Sequence, residues 1–274
     1  MARWMTAFAM VIASTAGAAA ETSFDCVIDP SETVKLGSPV PGVLAEVLVQ
    51  RGDTVTRGQP VAVLESSVEA SAVRLNRFRA ESTARIDAQE EKLKLARSRV
   101  QRFGQPRELV VTQDKFEELQ ADVRIDEQDL LREKQDQQLA QLELERSQAT
   151  LDQRTIRATI DGVVSEKKLS AGEFVNQEGY VVTVARLDPL NVEVYLPVAD
   201  FRQVHVGMTA RVNPAPPIES TYEATISIVD RVFDPASGTF GVRLNLPNPG
   251  NQLPGGQRCK VTFGFTSGPS ASER

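Results

Sequence analysis

The chain is poor in the residues that most often carry chemistry. Its 274 residues include one histidine, His205, two cysteines, Cys26 and Cys259, and only 5% aromatic residues. Zinc sites and cysteine-protease sites need several such side chains close together. The composition therefore argues against an enzyme, and we expect no catalytic residues, no cofactor and no metal site.

Positive charge is also in short supply. The chain has 31 Lys and Arg against 37 Asp and Glu, which gives a formal net charge of -6 at pH 7. A protein that binds a phosphate backbone ordinarily carries a basic surplus. Nucleic acid is therefore not expected as a partner.

Long hydrophobic runs are confined to the start of the chain. An apolar run that begins at Trp4 follows one basic residue, and small residues continue to Ala20. This pattern is typical of a secretory signal peptide over residues 1–20, cleaved between Ala20 and Glu21. An uncleaved membrane anchor is the alternative, but the run is short for a hydrocarbon core about 30 Å thick.

Export from the cytosol would allow the two cysteines to form a disulfide. An oxidising compartment permits a disulfide that the cytosol would not maintain, and Cys26 and Cys259 allow a single pairing. Such a bridge would join the start of the mature chain to its last strand. The alternative is that both are small buried hydrophobic residues.

Two segments of the chain, residues 40–64 and 160–184, resemble each other at a constant offset of 120 positions. Each copy consists of a short strand, a glycine turn that requires positive φ, and a second short strand. One copy has too little apolar surface to fold alone, so the sequence predicts one small β-sandwich built from both. The matched glycines are Gly42 with Gly162 and Gly52 with Gly172.

The residues between the two copies have the opposite character. Between residue 66 and Gly104 there is no glycine or proline, while Glu, Gln, Arg and Lys are dense. Apolar residues recur every seven positions on both sides of a short break. The pattern predicts a long antiparallel α-helical coiled-coil hairpin over residues 66–154, with its tip at about 104–112. Helices of roughly 37 residues would reach about 55 Å.

The seven-residue pattern also predicts the side chains that form the seam of the hairpin. Folding at the break places Val68 opposite Leu151, Leu75 opposite Leu144, and Phe103 opposite Phe116. The polar seam residues would fix the register of the two arms at a cost in stability. The many charged residues have two possible explanations: they form a solvated surface, or they pair with charges on a neighbouring hairpin that lies alongside. The predicted seam is Val68, Ala72, Leu75, Arg79, Ser82, Ile86, Gln89, Leu93, Ala96, Val100 and Phe103 in the first arm, and Phe116, Leu119, Val123, Asp126, Leu130, Glu133, Gln137, Ala140, Leu144, Ser147 and Leu151 in the second.

The last third of the chain changes pattern again. From Leu190 onward, short runs of alternating apolar residues are separated by turn clusters such as Asp234-Pro235-Ala236-Ser237-Gly238. Runs of period two at this density predict a small antiparallel β-barrel. Residues 199–204 are predicted to form one short helix that covers it.

Several motifs lie in an order that points to a family. Arg51-Gly52-Asp53-Thr54-Val55 resembles the first half of a lipoyl-type sandwich, and Ile156-Arg157-Ala158 with Ala171-Gly172-Glu173-Phe174-Val175 resembles the second. In the barrel, Leu253-Pro254-Gly255-Gly256 is similar to a family signature. Together they resemble the periplasmic adaptor subunits called membrane fusion proteins, the HlyD-like family. The domains implied are a signal peptide (1–20), an N-terminal strand or linker (21–39), lipoyl-like half 1 (40–65), the hairpin (66–154), lipoyl-like half 2 (155–187), the β-barrel (188–266) and a C-terminal tail (267–274).

The resemblance implies a periplasmic adaptor, peripheral to the inner membrane, in a tripartite efflux pump. Its partners would be an inner-membrane transporter, an outer-membrane channel of the TolC type, and further copies of itself in a ring, which the resemblance implies to be a hexamer. The cleavable signal and the lack of a long anchoring helix favour a transporter of the RND type over an ABC transporter.

The hairpin tip departs from the family pattern. Adaptors that dock TolC-type channels carry an Arg, a Leu and a Ser at fixed spacing, whereas Thr112 occupies the Ser position here and glutamines occupy the two upstream positions. The alternative is that the tip residues only cap and solubilise the turn. By comparison with the family pattern we expect no full membrane-proximal domain, so the barrel would face the transporter more directly. The candidate docking residues are Arg99, Arg102, Arg107, Leu109 and Thr112.

Two other functions use parts of the same architecture. A lipoyl or biotin carrier has the same sandwich, but it presents a lysine at the link between the halves, where this chain carries the helical insertion after Leu64-Glu65-Ser66. A purely structural periplasmic coiled-coil connector would need neither a split sandwich nor a barrel.

Overall fold

A computed structural model describes residues 22–103, 112–218 and 220–264. The chain divides into two compact units, one formed by Val34–Val184 and the other by the residues up to Thr33 and from Ala185 onward. The strands are β1 (Ser23–Leu36), β2 (Gly42–Val47), β3 (Thr54–Val55), β4 (Pro60–Leu64), β5 (Thr155–Arg157), β6 (Gly162–Lys167), β7 (Phe174–Val175), β8 (Val182–Pro197), β9 (Thr209–Pro214), β10 (Tyr222–Val229), β11 (Thr239–Leu246) and β12 (Gln257–Phe263); the α-helices are α1 (Ser67–Glu81), α2 (Ala84–Phe103) and α3 (Gln113–Asp152).

The sandwich interleaves its two halves. The first strand of each half pairs with the second strand of the other, so that β2 pairs with β7 and β3 with β6, all antiparallel. The turns repeat as well: Gly52 donates its N–H to Val164 O at 2.9 Å, and Gly172 donates to Leu44 O at 2.7 Å. Both turn glycines have positive φ, 96° and 89°. The predicted sandwich of two related halves is confirmed.

Among the residues that the structure describes, no member of the helical insertion belongs to the core of the sandwich. Its buried members come from the strands and turns on either side of the hairpin, and several, among them Val61, Val164 and Val182, are fully inaccessible to solvent. The sandwich therefore closes around its own apolar residues. The cluster comprises Leu36, Leu44, Val49, Val55, Val61, Ala62, Leu64, Ile156, Ala158, Ile160, Val164, Val175, Val181, Val182 and Val184.

The insertion is a helical hairpin in which α1 and α2 both pack against α3. In α3 every predicted seam position, from Phe116 to Leu151, is buried or half-buried. The first arm is not the single helix predicted, because it breaks between α1 and α2. Ser82 is extended, with ψ 113°, and the Thr83 hydroxyl donates to Asp87 at 2.9 Å. Adjacent Ser and Thr bond locally through their side chains and so interrupt a helix.

The break shifts the seam of α1 by one residue. Val73 and Ala80 are buried there, in place of the predicted Ala72 and Arg79. The predicted pairings of Val68 and Leu75 are therefore wrong, and both side chains are exposed. The seam contact in that region is polar instead, with Asn76 Nδ2 donating to Ser147 Oγ at 2.6 Å. In α2 the predicted phase holds, since Leu93 and Ala96 are buried, but Phe103 at its end is exposed.

The second unit is the predicted antiparallel β-barrel. Its strand order is β1-β12-β9-β10-β11-β8, and a further pairing of β1 with β8 closes the barrel. A 3-10 helix, Val198–Gln203, occupies the place of the predicted short helix. The barrel core contains Cys26, Ile28, Leu190, Val192, Val194, Leu196, Val204, Ala210, Val212, Ala224, Ile226, Phe240, Val242, Leu244, Leu246, Leu253, Cys259, Val261 and Phe263.

The two cysteines lie opposite each other in this barrel. Cys26 of β1 is the register partner of Cys259 of β12, and the structure joins them in a disulfide. Both side chains are also part of the buried core. The bond connects the first strand of the barrel to its last.

Candidate functional site: the helical hairpin

Three of the candidate docking residues lie at the end of the hairpin away from the sandwich. Arg99 and Arg102 are exposed in the last two turns of α2, and Thr112 directly precedes α3. The structure therefore brings these three to the same end. Arg107 and Leu109 lie outside the described residues, as do Ala20 and Glu21 of the predicted cleavage site.

Local helix chemistry accounts for part of this arrangement. Arg102 lies in the last turn of α2, where a cation interacts favourably with the helix dipole. Thr112 is the N-cap of α3, and its carbonyl oxygen accepts the N–H groups of Lys115 and Phe116 at 3.0 and 3.3 Å. Its side chain makes no capping hydrogen bond among the described residues. The hydroxyl of Thr112 is therefore not used in capping α3. A docking role for Thr112 stays a prediction.

The distal part of the seam is apolar and supports this end. Ala96 and Leu119 are buried, while Val100 and Phe116 are half-buried. The ends of α2 and α3 are consequently held against each other near the candidate residues.

A buried carboxylate interrupts the apolar seam in the middle of the hairpin. The Asp126 side chain is 8% exposed and accepts a bond from Lys92 Nζ at 2.7 Å. Gln89 Nε2 donates to the Asp126 carbonyl oxygen at 3.2 Å. The hydrogen bond to Asp126 raises the pKa of the Lys92 ammonium. The sequence identified Gln89 and Asp126 as poor seam residues but missed Lys92, which lies beside the seam.

Replacing Asp126 with leucine is expected to leave the hairpin as stable or to stabilise it by about 1–2 kcal/mol, because an apolar side chain avoids the desolvation of a buried charge. Lys92 is largely exposed and would remain solvated. Urea unfolding followed by helical circular dichroism measures the change. The matched control is Asp129→Leu, which removes a more exposed carboxylate; a large loss of stability for Asp126→Leu alone would contradict this account.

The base of the hairpin is joined to the sandwich by one arginine that the sequence did not reveal. Arg154 follows α3, and its guanidinium donates to Glu69 in the first turn of α1 and to Pro41 O, the latter at 3.2 Å. Its carbonyl oxygen accepts the N–H of Leu64 at 2.8 Å. Arg154 thus connects both arms and the sandwich through groups far apart in sequence.

One end of the barrel carries exposed apolar side chains. Phe201 of the 3-10 helix packs edge to face on Phe233 and Phe240, with centroids 4.9 and 5.2 Å apart. Val232, beside Phe233, is 85% exposed. The turn that follows is ordered by Asp234, whose pKa is lowered by the bonds it accepts from Ala236 N–H and the Ser237 hydroxyl. Val232 and Phe233 thus lie exposed beside an ordered turn.

Within residues 22–103, 112–218 and 220–264, no group of three or more His, Cys, Asp or Glu side chains converges in a way that could hold a metal ion. In the same part of the chain, no helix has the length and apolar character needed to cross a membrane. His205 is exposed on a barrel turn, where its backbone N–H points to Met208 Sδ at 3.4 Å.

Comparison with known proteins agrees with this architecture. Residues 32–186 match the family model described as a CzcB-like barrel-sandwich hybrid domain, and residues 190–267 match a CusB-like β-barrel domain. The cobalt-zinc-cadmium resistance protein CzcB of Cupriavidus metallidurans is 26% identical over 208 residues, which are 76% of this chain and 38% of CzcB. The chain spans between 34% and 55% of the length of the curated relatives that it matches.

Solved structures share the fold at low identity. MacA from Actinobacillus actinomycetemcomitans superposes with a TM-score of 0.71 at 20% identity, covering 89% of this chain and 78% of MacA. The membrane fusion protein Spr0693 from Streptococcus pneumoniae gives a TM-score of 0.60 at 16% identity, covering 88% of this chain and 98% of that one. Because the CzcB-like model covers more than half of the residues and the barrel model most of the rest, the chain belongs to the membrane fusion protein family, in the group with a CzcB-like barrel-sandwich hybrid domain.

Proposed function

We propose that the protein is the adaptor of a tripartite efflux pump and links an inner-membrane transporter to an outer-membrane channel of the TolC type. The observation that carries the proposal is the hairpin itself: it is inserted between the halves of the sandwich, fastened there by Arg154, and ends in Arg99, Arg102 and Thr112. Such an element transmits position between partners, and the family membership supports the same role. The protein acts without catalysis.

The hairpin functions as a coiled-coil spacer. The seven-residue seam along the 40 residues of α3 supports this, and a 40-residue helix is about 60 Å long at 1.5 Å per residue. Because the first arm is broken between α1 and α2, α3 is the helix that runs along the hairpin without a break. In this proposal the candidate residues at the distal end of the hairpin contact the channel.

The transporter partner is of the RND type. One finding favours this over an ABC transporter: the barrel matches a β-barrel model of the RND type, the CusB-like domain. The likeness to MacA shows the fold alone. The exposed apolar end of the barrel around Val232 and Phe233 is the surface that would meet the transporter.

The protein works in the periplasm, after removal of residues 1–20, as a ring of copies around the export path. The bonded cysteines support this compartment, since a structural disulfide persists in an oxidising environment. The family membership supports six copies in the ring.

Cysteine crosslinking in cells tests the docking contact. Single cysteines replace Arg102 and Thr112, and the native cysteines are left in place because they are bonded to each other. We expect both positions to capture an outer-membrane channel in cells that express the whole pump. The control variant is Arg146→Cys, an exposed position on the same helix near the sandwich. The proposal would be overturned if neither position 102 nor position 112 captured the channel. It would also be overturned if position 146 captured the channel as well as they do.

A further inference from the structure

The strand that closes the barrel comes from a distant part of the chain. The other five strands, β12, β9, β10, β11 and β8, are consecutive neighbours in the sheet, and their pairings all lie within residues 190–263. β1 pairs with β12 through Cys26 and Cys259, which are 233 positions apart in sequence. Pairing of distant segments costs more chain entropy and is slower than pairing of near ones. We therefore expect β1 to join the barrel last.

The two cysteines differ in when their strands find neighbours. Cys259 of β12 is the register partner of Pro214 in β9 on one side and of Cys26 in β1 on the other. The pairing with β9 belongs to the local sheet, so Cys259 is held there before β1 arrives. Cys26 enters the sheet only when β1 docks. Its thiol therefore stays accessible for longer than the thiol of Cys259.

Docking of β1 removes both sulfur atoms from solvent. In the complete barrel Cys26 is 5% exposed and Cys259 is 4% exposed, and both belong to the core that β1 completes with Ile28. Thiol–disulfide exchange needs a thiolate that can reach the sulfur it attacks. A protein that oxidises thiols has no such access inside the closed barrel. Oxidation must therefore begin while β1 is still apart from β12.

We propose that Cys26 is the entry cysteine for a periplasmic oxidant of the dithiol–disulfide oxidoreductase class, and that Cys259 is the resolving cysteine. The Cys26 thiolate attacks the disulfide of the oxidoreductase, so a mixed disulfide forms and one oxidoreductase thiolate leaves. Docking of β1 presents Cys259, whose thiolate attacks the Cys26 sulfur and expels the second oxidoreductase thiolate. The two cysteines are oxidised, the oxidoreductase is reduced to its dithiol, and the two thiol protons pass to the departing thiolates.

The register of the strands joins docking and resolution in one step. Cys26 lies directly opposite Cys259, with their Cα atoms 4.9 Å apart. A slip of one residue would turn the Cys26 side chain to the outer face of the sheet. Only the native register therefore brings the two sulfur atoms together, and the bond forms on barrels that have closed correctly.

Refolding of the reduced chain tests the order of the two cysteines. The chain is unfolded under reducing conditions and diluted into buffer that contains oxidised glutathione as the small-molecule oxidant. Samples are quenched with acid at increasing times, and mass spectrometry of the peptides measures glutathione on each cysteine. We expect severalfold more adduct on Cys26 than on Cys259, and we expect it to decay as the native bond appears. Equal adducts, or more on Cys259, would overturn the proposal.

Two neighbouring positions of β1 test whether docking drives the second step. Ile28 is fully buried and Val27 is 40% exposed. Ile28→Asp would bury a carboxylate and so hinder docking, and the adduct on Cys26 should then persist several times longer. Val27→Asp is the matched control and should resolve the adduct at the unmodified rate. Resolution at that rate in Ile28→Asp as well would contradict the proposed coupling, whether or not this variant completes its fold.

Single-cysteine chains test the protein oxidant in cells. Cys259→Ser keeps the entry cysteine, whereas Cys26→Ser keeps the resolving one. After acid quenching and alkylation of free thiols, non-reducing electrophoresis measures adducts that a reductant removes. We expect Cys259→Ser to accumulate severalfold more adduct with a second protein than Cys26→Ser does. Equal adducts, none from either variant, or only a disulfide dimer of copies would each overturn the proposal.

This inference rests on the proposed function only for the oxidising compartment, and the two can fail separately. Adducts in the expected order, in a chain that captures no channel from positions 102 and 112, would refute the docking contact and leave the order of oxidation standing. Capture of the channel by a chain whose two cysteines form equal adducts would do the reverse.

Discussion

Replacing Leu93 with proline is expected to abolish export while both β units remain folded. Leu93 is 4% exposed in the interior of α2, where proline removes a backbone hydrogen bond and clashes with the preceding turn at a cost of about 3 kcal/mol or more. A hairpin whose two arms are stabilised mainly by packing against each other has little stability to spare for such a loss. The described core of the sandwich is built from residues outside the helices, so the closure of the sandwich does not depend on the hairpin.

Two measurements check this result. Export is followed in cells whose adaptor is the variant chain, and the loss of helical circular dichroism is followed on the purified protein. Leu93→Met is the control, because a swap that conserves volume costs less than about 1.5 kcal/mol and should retain export. Val123→Pro, in the other arm, should repeat the effect of Leu93→Pro. Full export by a chain whose hairpin is unfolded would rule out the hairpin as the bridge.

Removing the disulfide is expected to destabilise the barrel by about 2–5 kcal/mol, the range typical of native bridges. Cys26 and Cys259 are separated by 233 positions, so the bond closes a very long loop in the unfolded chain, where its entropic effect is largest. The bond also ties β1, which contributes Ile28 and Cys26 to the barrel core, to the last strand.

Hydrogen exchange measured by mass spectrometry resolves this effect by region. In the double variant Cys26→Ala and Cys259→Ala, the amides of β1 and β12 should lose protection, while those of β4 and β5 in the sandwich should keep theirs. Reduction of the unmodified protein should give the same pattern. Unchanged protection in both experiments would show that strand pairing alone holds the ends of the barrel.

The sequence predicted the β units because their signals are local. Glycines at matched turns and alternating apolar runs specify where strands begin, turn and end. The seam of α3 was equally predictable, since its apolar residues recur without interruption. In the first arm two phases compete: Ala72 and Leu75 support one, and Val73 and Ala80 support the other. The residues around the break at Ser82 allow both, so periodicity could not select the observed phase.

The remaining contacts depend on residues that the fold brings together. Arg154 bonds to Glu69 and Pro41, 85 and 113 positions away in sequence, and no motif marks it. Lys92 is one charged residue among many until α3 places Asp126 against it.

The length of the hairpin can change without changing how it is attached to the sandwich. Leu64 and Arg154, the residues that bracket the insertion, are joined by a backbone hydrogen bond of 2.8 Å. The two attachment points therefore stay together whatever the length of the chain between them. Seven residues added to each arm would extend the rod by about 10 Å without disturbing either β unit. Insertion in one arm alone would put the seams out of phase. The distance that such an adaptor spans can therefore change by equal insertions in both arms, while the attachment of the hairpin to the sandwich stays the same.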